Sequence, residues 1–159
     1  MQKKIIMIQR IQTLYLLLAL LCMGLLLFLP FGEIATKTSE TISLSIEGFD
    51  YQENGETQNF SVLPLTIMLA LSVLTTLVSI FLFKKRMLQI RLNVFNLIIQ
   101  VGSIGLMFYF LFQANKLVGE AWTSHITIIL PAIAAIFTYL AIRSIGKDEA
   151  LVRSISRLR

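Results

Sequence analysis

The chain has 159 residues, is 56% hydrophobic, and carries a mean hydropathy of +0.78 with a net charge of +5 at pH 7. That balance excludes an ordinary soluble globular protein, and the length allows one domain. The positive charge does not point to nucleic acid, because the basic residues flank apolar runs, where they anchor and orient membrane helices.

Four apolar runs lie at about residues 11–30, 63–83, 92–114 and 126–142. A bilayer core takes roughly 17–25 apolar residues of helix, so each run qualifies as a span. The first follows Lys3, Lys4 and Arg10, as a signal peptide does. However, the run to Leu29 exceeds the usual apolar length of about 7–15 residues, and no small-x-small site follows Pro30, so a retained helix is expected. Cys22 lies inside this run. One thiol forms no internal disulfide, and Ala19-Leu20-Leu21 lacks a small residue directly before the Cys, so it reads as an apolar filler rather than a lipid anchor. Pro30 is expected to close the helix.

Residues 31–62 form the one sizeable polar segment, with Glu33, Glu40, Glu47, Asp50, Glu53 and Glu56 against Lys37. Thr41-Ile42-Ser43-Leu44-Ser45-Ile46 alternates with period two, a strand signal. Asn54-Gly55 suits a type I′ turn, whose central residues need positive φ. A small two- or three-stranded sheet within this loop is expected, against the plainer reading of a solvated loop.

Pro64 suits the first turn of the second helix, where a missing N–H costs little. The turn at 84–91 is densely basic, and the third helix is expected to begin inside it and run to about Ala114. Asn115 to Ser124 reads as a short loop, with Trp122 and His125 at the aqueous boundary. Pro131 is expected to bend the fourth helix locally. In the tail, Asp148 and Glu149 suit the start of a short separate helix and Arg153, Arg157 and Arg159 its end. Leu151, Ile155 and Leu158 give that helix one apolar face, fit for anionic lipid or for a docking partner.

Lys3, Lys4, Arg10, Lys84, Lys85, Arg86, Arg91, Arg143, Lys147, Arg153, Arg157 and Arg159 fall on one side of a four-span topology, and Lys37 and Lys116 on the other. Both termini and the middle turn are therefore expected in the cytoplasm, with the acidic loop outside. The fold expected is an all-α membrane protein, a four-transmembrane-helix bundle in one domain, with a small extracytoplasmic sheet and a short cytoplasmic carboxyl-terminal helix.

Polar residues inside the spans share faces. Gln89, Asn93, Asn96, Gln100 and Ser103 recur at spacings of four, three, four and three. Ser72, Thr75, Thr76 and Ser79 cluster on the second helix, and Thr127, Pro131, Ala134, Thr138 and Ala141 on the fourth. Such stripes glue helices together; the sharper reading of Asn93, Asn96, Gln100 and Ser103 is a polar cavity. No Asp, Glu, Lys, Arg or His falls in the middle of a span, which argues against ion-coupled transport. One His and one Cys at opposite ends build no metal site, and no nucleophilic cluster or phosphate loop stands out, so neither cofactor nor enzymatic activity is expected.

Three segments, MIQRIQTLYLLLA, KRMLQIRLN and KDEALVRSISRLR, bracket the chain and resemble the domain of unknown function 4293 family, small four-span membrane proteins of Bacteroidota. The resemblance implies a bacterial inner-membrane protein with cytoplasmic ends and carries no activity. Positions matching its motifs include Arg10, Gln12, Arg86, Gln89, Arg91, Asp148, Glu149, Arg153 and Arg157. The leading expectation is a structural or accessory subunit. It would bind anionic lipid and a protein partner or second copy through a cytoplasmic rim, with Asp148 or Glu149 pairing Arg86 or Arg91 to clamp the tail. A small channel or carrier using the third helix's stripe is the alternative, and a sensor with a ligand-binding outer loop is a third.

Overall fold

The computed structural model describes residues 2–36, 41–53, 56–83 and 85–156, with side chains placed for residues 11–35, 42–48, 50, 59–83, 85–117 and 123–150. The chain is mostly helical. Helix α1 spans Gln2–Leu25, α2 Leu63–Phe81, α3 Arg86–Val118 and α4 Leu130–Ser156. Among the described residues, five short strands, β1 (Gly32–Thr36), β2 (Thr41–Leu44), β3 (Phe49–Glu53), β4 (Glu56–Phe60) and β5 (Gly119–Ser124), lie between them. Helix α1 packs on α2 and α4, and α3 packs on the same two, so α1 and α3 stand diagonally across a bundle.

Among the described residues, three helical segments are long and apolar enough to cross a membrane: Leu63–Phe81, Arg86–Leu117 and Ile126–Ala150. Within α1 the apolar stretch is the shorter Ile11–Leu25. The bundle is apolar outside, and the polar side chains of its spans are turned into an interior that also holds apolar residues such as Leu16, Met23, Leu69 and Met107. Ile98 on α3 is 63% exposed, whereas Asn96, two residues away, is fully buried. Lipid is a solvent for the first and excludes the second, which is the reverse of a water-soluble bundle.

At one end the chain leaves α1 and α3 and enters α2 and α4. Strand β1 sits between β2 and β5 in a three-stranded antiparallel sheet, with Ile34 opposite Ile42 and Trp122. Strands β3 and β4 form a separate antiparallel pair, Phe49 opposite Phe60 and Glu53 opposite Glu56. Asn54-Gly55, expected as the turn between them, lies outside the described residues. Phe31, Ile34, Leu44, Val62 and Leu111 are almost wholly buried where the sheet caps the bundle. Thr66 donates to the Ile46 carbonyl at 2.7 Å and Thr127 to the Pro30 carbonyl at 2.6 Å, tying the cap to α2 and to the entry of α4.

Several expectations are corrected. The sheet is not confined to residues 31–62: its third strand is β5, from the segment expected to be a loop, and α3 runs past Ala114 to Val118. No breaker interrupts Asn115 to Val118, and the edge of β1 supplies β5 with a hydrogen-bonding partner that a local reading does not contain. The α-helix of α1 ends at Leu25, and Leu27, Phe28 and Leu29 form turns before Pro30, which disfavours the helical region at Leu29. Pro131 does not bend a helix interior. A 3₁₀ turn, Ile126–Ile129, precedes it, and it sits in the first turn of α4, where its missing N–H breaks no helical bond. The tail is not a short separate helix. Helix α4 runs on to Ser156, because its buried face continues unbroken through Ala134, Thr138, Ala141, Ile145 and Asp148 at spacings of four, three, four and three. Gly146 alone, costing about 1 kcal/mol relative to alanine, does not stop it.

Candidate functional site

Two groups of polar residues were expected to matter, and the fold places them in different surroundings. The first gathers at the end of the bundle opposite the sheet. Gln12 on α1 and Asp148 on α4 are each 8% exposed, and the Gln12 side-chain amide donates to Asp148 Oδ2. The Arg86 guanidinium, at the start of α3, donates to the Asp148 backbone carbonyl at 3.5 Å, a long contact. Gln89, one turn further along α3, donates to the Ser79 carbonyl of α2 at 3.0 Å. One buried carboxylate thus joins α1 and α4, its own carbonyl reaches α3, and Gln89 closes α3 onto α2.

Arg86 meets the backbone of Asp148 rather than its carboxylate, and the carboxylate belongs to Gln12, a residue that matched a motif but carried no expected role. The pair is 136 residues apart in sequence, so no local pattern signals it. Arg91 is exposed, and Glu149 is half-buried and engaged. The side chains of Arg10 and Arg153, and all of Arg157, lie outside the described residues; the backbones of Arg10 and Arg153 lie in α1 and α4.

The second group forms a seam along the bundle interior. Asn93, Asn96, Gln100 and Ser103 are all fully buried, as are Ser72, Thr76 and Ser79 of the facing helix. The Asn96 amide donates to Thr76 Oγ1 at 2.7 Å, and the Thr76 hydroxyl donates to the Ser72 carbonyl at 2.8 Å. The Ser103 hydroxyl donates to the Gln100 carbonyl at 2.8 Å. Asn96 therefore bonds across α2 and α3, as a gluing stripe does. Asn93 and Gln100 behave differently: both ends of each side-chain amide lack a hydrogen-bond partner among the described residues. An orphaned buried amide costs about 1–3 kcal/mol, and among the described residues neither side chain makes the interhelical hydrogen bond that Asn96 makes.

At the sheet end, His125 Nε2 lies 3.2 Å from Glu33 Oε1, joining the start of α4 to β1. Both groups are partly solvated, so this contact positions the cap loosely.

Comparison with known proteins adds a family and no activity. The model described as "Domain of unknown function (DUF4293)" matches residues 8–158. No curated protein matches the chain significantly.

Proposed function

The chain belongs to that family, whose description assigns no activity, and we propose that it is a non-enzymatic four-span scaffold of the bacterial inner membrane, an accessory subunit that engages a protein partner or a second copy through the rim at its clasped end. The observation that supports this is the convergence of three sequence segments on Asp148: the α1 segment with Gln12, the α3 start with Arg86, and the α4 end. Their exposed neighbours, Lys85, Arg91, Arg143 and Lys147, make this rim basic. An excess of Lys and Arg on one side favours the cytoplasm, which gives both termini inside and the acidic sheet outside.

Helix α1 is read as the fourth span. Its 24 residues extend about 36 Å at 1.5 Å per residue, and it lies along α2 and α4. Leu14, Leu17 and Leu21, each at least half exposed, continue the apolar outer surface.

The test is site-specific photocrosslinking in native membranes from position 91 on the rim, and from position 112, where Phe112 faces outward 55% exposed. A discrete adduct from position 91 and none from 112 is the expected result. Adducts from 112 alone move the working surface into the membrane and remove the rim reading.

The unpartnered amides of Asn93 and Gln100 favour a second reading, a small carrier of polar solutes. Gln100→Met keeps the side-chain volume and removes the orphaned amide. On the scaffold reading this variant is more stable by about 1–3 kcal/mol, seen as a rise of several degrees in Tm. Solute flux in reconstituted vesicles that disappears with Gln100→Met favours the carrier instead.

A further inference from the structure

A pocket between α1 and α4 has no part in the clasp or the seam. Its volume is about 330 Å³, and it is lined by Ile11 and Tyr15 from α1 and by Leu140, Arg143, Ser144 and Lys147 from α4. The lining is divided chemically. Ile11 and Leu140 are apolar, while Arg143 and Lys147 stand one helical turn apart on one face, with the Ser144 hydroxyl beside them. The Tyr15 ring stacks on Phe137 with centroids 6.5 Å apart, which holds one wall in place. Neither cation has a carboxylate partner among the described residues, and the carboxylate nearest in sequence, Asp148, is held by Gln12 on a buried face. Two unpaired cations, a hydroxyl and an apolar wall suit an anion that carries hydrocarbon.

We propose that this pocket binds one anionic phospholipid, its phosphate against Arg143, Lys147 and Ser144 and its upper acyl chain along Ile11, Tyr15 and Leu140. A zwitterionic lipid brings its own cation and leaves the pocket's charge unbalanced. A soluble phosphate answers the charge but leaves the apolar wall bare. The inference requires the helices to lie in a membrane; it does not rest on the rim having a protein partner.

Native mass spectrometry of the full chain from mixed phosphatidylglycerol and phosphatidylcholine micelles tests this. One retained phosphatidylglycerol per chain is expected. The double variant R143Q/K147Q should lower that retention roughly tenfold, as two juxtamembrane cations contribute to anionic lipid binding. Leu140→Trp, which fills the pocket and keeps both cations, should lower it as well, while Lys85→Gln, a cation outside the pocket, should not. Equal retention of phosphatidylcholine overturns the proposal. An equal loss in Lys85→Gln does so too, since it marks a diffuse basic surface, and so does unchanged retention in Leu140→Trp. Displacement of the lipid by an equal concentration of glycerol phosphate identifies a site for a soluble phosphate and likewise overturns it.

Discussion

Gly48→Ala is expected to lower Tm in detergent by about 10 °C or more, whereas Gly105→Ala should leave it unchanged or slightly raised. The substitution is the same, and its surroundings decide the outcome. Gly48 adopts φ +85°, left-handed backbone that costs an L-residue roughly 1–2 kcal/mol. A Cβ there would also stand 2.0 Å from the Phe60 carbonyl oxygen and 3.1 Å from its carbon, both main-chain atoms that no rotamer change can move. Gly48 closes the turn from Ser45 and leads directly into β3, whose first residue pairs with Phe60. Separating them lifts β4 and the Phe60 ring, which is 8% exposed and meets Phe110 edge-on at 6.1 Å. Undocking a buried phenylalanine costs about 3–5 kcal/mol, which dominates the backbone strain. Gly105, in contrast, has nothing within 4 Å of its Cβ position and lies inside α3. There alanine gains about 0.5–1 kcal/mol of helix propensity. A Gly48→Ala protein with unchanged Tm and unchanged protease resistance in residues 41–60 would show that the cap does not depend on this turn.

The second large effect is expected at the clasp. Asp148→Ala should cost about 2–3 kcal/mol, because it removes a charge-assisted hydrogen bond and leaves the buried Gln12 amide without its acceptor. Asp148→Asn keeps an acceptor in place and should cost less. The double replacement Gln12→Leu with Asp148→Leu should recover much of the loss, since exchanging both partners for apolar groups removes the unpaired group as well as the bond. That non-additivity is the signature of a direct pair and separates it from two independent packing effects. Arg86→Glu should act on the same point: it removes the donor to the Asp148 carbonyl and sets a like charge beside the carboxylate. Trypsin cleavage at Arg153 should then quicken, while Arg91→Glu, at an exposed position, should change little. Equal cleavage in both variants, with no stability loss in Asp148→Ala, would mean that α4 is held by helix packing alone.

These two positions also mark where the sequence is legible. The polar stripe of α3 was readable because a period of 3.6 residues puts Gln89, Asn93, Asn96, Gln100 and Ser103 on one face, and that face is buried. The strand at Thr41–Leu44 was readable from its alternation. Gly48 was not, since its requirement comes from the backbone of Phe60, twelve residues on. The pairing of β5 with β1 was unreadable for the same reason at longer range, and Gly119–Ser124 carries no alternation of its own. The rim residues were named from charge and resemblance, but no local pattern signalled that the Asp148 carboxylate bonds to the Gln12 amide while its main-chain carbonyl meets Arg86.

Composition, apolar run length and helical periodicity are local properties of the chain, and they were enough to establish a membrane helix protein, its inward-facing polar stripes and its strand-forming loop. Tertiary structure alone decided that two loops share one sheet and that Asp148 is the point where three helices meet. Each depends on which distant groups can satisfy a buried donor or acceptor, and that is settled only when the helices are brought together.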